Sequence, residues 1–168
     1  MTTMDLQVSV PTDLLIEALV KKLTNNTLTV LQRDTGIPRI PRIGEYWPGQ
    51  GGIYAGLQRG RDGGADYHLI VGPAIDACKW KTAKEKAAAI EVDGHRDFSL
   101  PLRKEQALQF ANVPELFESE WHWSSEEHAS DSSYAWLQYF SYGFQNDYHK
   151  SYEGRARAIR RIFLQAAA

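Results

Sequence analysis

Residues 121–140 read WHWSSEEHASDSSYAWLQYF. Trp121 and Trp123 alternate with His122 and Ser124. A strand over 121–124 therefore sends both indoles to one face and His122 to the other. The polar run that follows reads as a loop, and 134–140 returns to aromatic and aliphatic residues as a second strand. A third strand is expected over 156–163, ARAIRRIF. Upstream the pattern changes. Residues 76–90 are rich in Ala, Lys and Glu and read as a helix with 78–80 in its first turn. A second helix is expected over 102–111, where Ala107, Leu108, Phe110 and Ala111 fall at helical spacing and Pro114 closes it. Before these, 53–58 and 67–71 read as a hairpin joined by RDGGAD, with Gly63 and Gly64 able to take positive φ. Helices set apart from strands in this way indicate the α+β class.

The chain holds 5 Trp, 8 Tyr and 6 Phe, and none of them precedes Tyr46. That aromatic-free part reads as an arm. Leu6, Val8 and Val10 alternate as an extended stretch, Pro11 stops it, and Thr12 or Asp13 can cap a helix over 13–23. Leu15, Leu19 and Leu23 form its apolar stripe. A short strand is expected at 28–31, and IPRIPRIG at 37–44 is a Pro-punctuated connector. The expected organisation is an arm over 1–43, a possible homo-oligomerisation element, and one domain over 44–168.

A chain of 168 residues with 43% apolar and 24% charged residues can bury its own core. A formal net charge of -2 argues against a nucleic-acid or membrane-surface binder. Cys78 stands alone, which excludes an internal disulfide and a Cys-rich zinc site. No secretory signal or membrane-inserting segment is evident, so the expected location is cytoplasmic or virion-associated.

Candidate chemistry is sparse. The GEYWPGQGG segment lacks the lysine ending of a phosphate loop and reads as a tight turn carrying Tyr46 and Trp47 into a core. His122 and His128 flank Glu126 and Glu127 but do not make HExxH spacing. Ser124 or Ser125 with His128 and Asp131 lacks a nucleophile elbow, and loop bonding is the ordinary role of such residues. An enzyme using His122, His128 and Asp131 is therefore the third reading, and no catalytic residue, metal or cofactor is expected. The arginines of EGRARAIRR could meet phosphate, or pair with carboxylates such as Glu118, Glu120, Glu126 or Glu127; pairing is the expectation.

Residues 137–152, LQYFSYGFQNDYHKSY, are the most informative for function. Tyr, Ser, Asn and Gly together are the composition of binding surfaces, where Tyr gives contact area at low entropic cost. Phe140 is expected to be core, and Phe144 reads either way.

Three elements resemble a known family. These are Leu100-Pro101 with Glu105, Trp123-Ser124-Ser125, and Ala158-Ile159-Arg160-Arg161. In this order they are similar to the helix start, WSS strand and terminal VR-rich strand of phage and bacterial C-type lectin-like domains related to the Lcl C-terminal domain. The resemblance covers about 44–163. It implies an α+β C-type lectin-like fold with two helices, a small mostly antiparallel sheet and a loop-rich binding face. It also resembles the variable proteins diversified by retroelements. There, adenine-directed mutagenesis would reach the types at Leu137, Tyr139, Ser141, Tyr142, Phe144, Asp147, Tyr148, His149, Ser151 and Tyr152. Trp136, Gln138, Gln145, Lys150 and Glu153 would stay fixed. The calcium-binding triplets of sugar-binding lectins are absent, and the cysteine pair of formylglycine-generating enzymes is not available. Fold alone does not fix function.

The leading expectation is a non-enzymatic ligand-binding module encoded by a phage or prophage. It would use those ten residues, with the 46–54 loop as a further candidate, against a protein or cell-surface partner. The alternative is an intracellular phage factor that occludes a host or defence protein.

Overall fold

The sheet begins at a two-residue strand, β1 (Tyr46–Trp47), in a computed structural model that describes residues 39–164. The expected elements at 6–10, 13–23 and 28–31 lie outside the described residues. After β1 come β2 (Gly52–Gln58), β3 (Tyr67–Cys78), α1 (Trp80–Ala88), α2 (Arg103–Asn112) and a 3-10 turn (Pro114–Leu116). The chain then makes β4 (Trp121–Glu127), β5 (Tyr134–Tyr139), β6 (Phe144–His149) and β7 (Gly154–Phe163). The strands form a seven-stranded sheet in the order β1-β2-β3-β7-β4-β5-β6. Neighbours run antiparallel except β4 and β7, which meet in parallel at His122 and Arg155. The fold is α+β with two α-helices and a mostly antiparallel sheet among the described residues. The sheet is not small, because the aromatic-rich stretch 137–152 itself contributes β6. No helix among the described residues is long and apolar enough to cross a membrane.

Two local expectations change. The helix expected over 76–90 starts only at Trp80, because Ile75 and Cys78 pair with Ala156 and Gly154 on β7. Tertiary pairing there overrides helix propensity. The second helix occupies nearly its expected span but turns a polar stripe inward. Glu105, Gln106 and Gln109 are buried, while Ala107 and Ala111 are exposed.

That stripe meets partners from distant strands. The Glu105 carboxylate accepts from Arg161 Nε at 2.6 Å and Nη2 at 2.7 Å, from the Tyr67 hydroxyl at 2.5 Å and from the Leu102 N–H at 2.6 Å. Burial, together with that carboxylate, pushes the Tyr67 phenol well above its ordinary range. Gln106 Nε2 donates to the His122 carbonyl at 2.9 Å, and Gln138 Nε2 donates to the Gln106 carbonyl at 3.0 Å. Gln145 Nε2 reaches both the Gln138 side-chain oxygen and the Arg103 carbonyl. A hydrogen-bonded layer thus ties α2 to one side of β4, β5 and β6.

The apolar core lies on the other side of these strands and around β3 and β7. Trp123, Trp80, Phe98, Leu100 and Leu137 are buried there together. Trp47 is also buried, against Tyr54 and Ile70. Tyr46 is not: it is exposed, and its hydroxyl donates to Asp93 Oδ2 at 2.8 Å. The same oxygen accepts from the Gly49 and Gly51 N–H groups, both at 3.1 Å, so one carboxylate clamps the glycine loop. The Tyr46 bond foremost, and the two amides, hold the Asp93 carboxyl below its ordinary value. A depressed folded-state value means that the clamp is complete above the ordinary Asp range and is lost as pH falls through the lowered value. Below about pH 4, the Gly49 and Gly51 amide resonances should therefore shift and exchange faster, ahead of global unfolding. In Asp93→Asn they should be displaced at neutral pH. An acid titration followed by amide NMR checks both.

Candidate functional site

The register of the last strands builds a face. Trp121 pairs with Tyr139, which pairs with Phe144. Two residues along, Trp123, Leu137 and Asn146 form the next row, and Ala135 with Tyr148 the row after. Side chains paired across strands share a face, and every second residue returns to it. Trp121, Tyr139, Phe144 and Tyr148 therefore stand on one side. His122, Gln138 and Gln145 point to the opposite side, into the polar layer under α2.

The rings form a continuous path. Phe144 lies 5.9 Å from Tyr142, Tyr142 6.0 Å from Tyr139, and Tyr139 5.3 Å from Trp121. Trp121 lies 5.3 Å from Tyr148, Tyr148 4.9 Å from Tyr152, and Tyr152 6.1 Å from Trp123. The path starts in solvent and ends in the core: Phe144 is 66% exposed, Tyr142 69%, Tyr152 39% and Trp123 0%. The turn that lifts Tyr142 outward depends on Gly143. Its φ is 74°, and a Cβ there would sit 2.7 Å from the Phe110 ring. Tyr46, Tyr54 and Tyr67 bond through their hydroxyls, whereas the tyrosines of this face have no such partner among the described residues.

A charged cluster lies on the His122 side, where Arg155 pairs with that residue. Arg155 Nε donates to Glu120 at 2.8 Å, and its guanidinium lies 3.5 Å from Glu118 and 3.7 Å from Asp76. Burial foremost, then Tyr148 and Glu120, raises the Tyr152 phenol, so it stays a neutral donor. The other arginines of β7 also meet acceptors rather than standing free. Arg160 pairs with Asp97, Arg161 with Glu105, and Arg157 donates to the Gly72 and Leu116 carbonyls.

The ten expected site residues divide. Tyr139, Tyr142, Phe144, Tyr148 and Tyr152 come together on the ring path. Leu137 does not join them at the surface: it is fully buried beside Trp123, and a ligand cannot reach it. Asp147 and His149 lie on the opposite side of β6, where His149 stacks edge-on with Tyr134. Ser141 is in the turn before β6, and Ser151 in the turn after it is bonded to His149 Nδ1 at 2.7 Å. Phe144, which read either way, is a surface ring, and Phe140 is buried against Phe117.

Trp121 is not among the ten, yet it is half-buried at the middle of the ring path. Its alternation with His122 was the available signal. Asn146, exposed between Phe144 and Tyr148, was also not singled out. The 46–54 loop belongs to the other end of the strand order, at β1, and does not extend this face.

The residues of the third reading are not gathered into one site. His122 is buried between Phe117 and Phe140 near the start of β4, with Nδ1 on the Glu120 carbonyl. His128 follows the far end of that strand, roughly 20 Å away at the rise of an extended chain, and bonds Ser130. Asp131 accepts from the Ser133 N–H as a turn residue. Comparison with protein-family models found no match, and neither did comparison with curated proteins.

Proposed function

We propose that this chain is a non-enzymatic ligand-binding module, phage- or prophage-encoded and C-type lectin-like, that binds a protein or cell-surface partner through the ring path. The carrying observation is that Tyr142 and Phe144 stand about two-thirds exposed at the head of that path. Adjacent solvent-exposed rings on a rigid sheet are an unusual use of apolar surface, and such patches mark interaction sites. Tyr hydroxyls without partners among the described residues supply donors and acceptors beside the apolar area. The polar layer beneath, with Gln138 and Gln145 bonded in place, fixes the backbone from which the rings project.

The family reading draws support from contacts among the motifs that carry the resemblance. Glu105, at the helix start, is bonded to Arg161 of the terminal strand. Ser125, from the WSS strand, donates through its N–H to the Pro101 carbonyl at 2.7 Å and through Oγ to the same oxygen at 3.2 Å. Three sequence-distant motifs thus form one bonded cluster.

The test is the double variant Tyr142→Ala/Phe144→Ala. Both rings are largely in solvent, so its melting temperature should match that of the unmodified chain. Binding to bacterial cells and to their surface-protein extracts should fall at least about 30-fold, the loss expected when hot-spot rings worth about 2 kcal/mol are removed. Unchanged cell and extract binding in the double variant would count against the reading.

A further inference from the structure

The face ends at a sheet edge, and the register shows which backbone groups that edge offers. Among the described residues β6 pairs with β5 alone and is the last strand in the order. The Lys150 N–H donates to the Ser133 carbonyl at 2.9 Å, one step beyond the Tyr134–His149 pair. In an antiparallel ladder, hydrogen-bonded pairs alternate with pairs that exchange no bonds. Counting back from Ser133 and Lys150, the bonded pairs are Ala135 with Tyr148, Leu137 with Asn146, and Tyr139 with Phe144. The N–H groups of Gln145, Asp147 and His149 therefore point away from β5. So do the carbonyls of Gln145 and Asp147, while the His149 carbonyl accepts from Tyr152.

This edge carries few of the devices that normally block strand addition. Its register with β5 runs without a bulge from Tyr134–His149 to Tyr139–Phe144, and β6 contains no proline and no lysine. Its two sides differ. Phe144, Asn146 and Tyr148 lie on the side of the ring path, and Gln145, Asp147 and His149 on the other. Asp147 forms no ion pair among the described residues.

We infer that the partner contributes an extended segment that adds to the outer edge of β6 as an eighth strand. The segment would place apolar side chains at every second position alongside Phe144 and Tyr148, and a lysine or arginine between them beside Asp147. Strand addition gives affinity through main-chain bonds and specificity through alternate side chains. Here the Gln145, Asp147 and His149 amides supply the bonds, the ring path takes the apolar side chains, and the Asp147 carboxylate selects a basic residue. This inference rests on the reading of the face as a protein-binding surface and specifies how the partner is held.

The experiment pans a phage-displayed random peptide library, with inserts of about nine residues to span the edge, against the immobilised full chain. Enriched peptides should alternate apolar and polar residues, carry Lys or Arg at a polar position and lack an internal proline. Their binding should slow hydrogen exchange at the Gln145, Asp147 and His149 amides. Asp147→Pro removes an outward N–H without breaking a β5–β6 bond, which an edge strand tolerates. It should keep the melting temperature and weaken the peptides at least about tenfold. Asp147→Lys leaves the backbone intact and should weaken the basic peptides too, so an unstable proline variant does not leave the matter open. A library that yields no binder overturns the inference. Enriched peptides that are proline-rich, or that leave exchange at those three amides unchanged, overturn it as well. If such peptides still need Tyr142 and Phe144, the face reading survives. If binders ignore the Tyr142→Ala/Phe144→Ala change, the face reading is what fails.

Discussion

Glu105→Ala should destabilise the domain by about 3–5 kcal/mol, the range for stranding one side of a buried ion pair. In a chain of this size that lowers the melting temperature by roughly 8–15 °C. Glu105 is fully buried, and its carboxylate satisfies the Arg161 guanidinium, the Tyr67 hydroxyl and the Leu102 amide. Removing it leaves all these donors facing a void. Glu105→Gln should fare little better, because its NH2 must point at a donor that the carboxylate accepted. The effect should be specific to the pair. In Glu105→Leu/Arg161→Met both charges go and apolar volume replaces them, so a large share of the loss should return. A thermal double-mutant cycle with coupling of about 2 kcal/mol is the expected result. A Glu105→Ala shift below about 1 kcal/mol would mean that the pair is not what ties α2 to β7.

The polar stripe of α2 also shows what a sequence pattern can and cannot carry. The span of that helix is readable from propensity and Pro114. Its inward face is not, because hydrophobic spacing points to Ala107 and Ala111 while the partners of Glu105 and Gln106 come from β7, β3 and β4. The same holds for the display stretch. Its aromatic richness is legible, but which rings are displayed depends on splitting it into two strands with alternate faces. Leu137 and Tyr139 share a side, yet one sits over Trp123 in the core and the other at the open end of the row. Only the registers of β4 with β5 and of β5 with β6, which align Trp121, Tyr139 and Phe144, separate them. The 121–124 alternation was the strongest local signal. It places Trp121 and Trp123 on one side and His122 on the other, although β4 is interior and both of its sides are covered. In α1, high Ala and Lys content predicts helix four residues too early because β7 claims Cys78.

Trp123→Ala should be the most damaging single truncation among the aromatics, at about 3–5 kcal/mol. Trp123 is fully buried, and its Nε1 donates to the Cys78 carbonyl at 2.9 Å. It packs so closely on β7 that a Cβ at Gly154 would lie 3.0 Å from that nitrogen and 2.9 Å from Leu137 Cδ2. A glycine so hemmed in leaves neighbours little room to collapse, so the cavity should persist rather than fill. Trp123→Phe keeps most of the volume and loses the hydrogen bond, leaving a buried carbonyl unpaired, and should cost about 1–3 kcal/mol. The consequence for binding follows from the ring path. Trp123 is its buried end and touches Tyr152, which touches Tyr148. In Trp123→Phe the path stays anchored, and affinity for the partner should change less than about threefold. In Trp123→Ala, Tyr152 loses its base and Tyr148 its support, so binding should weaken even at temperatures where the domain is still folded. Urea melts at fixed pH, with binding measured well below each midpoint, separate the two effects. Trp123→Ala that is folded and binds as tightly as the unmodified chain would show that the exposed rings do not need their buried anchor.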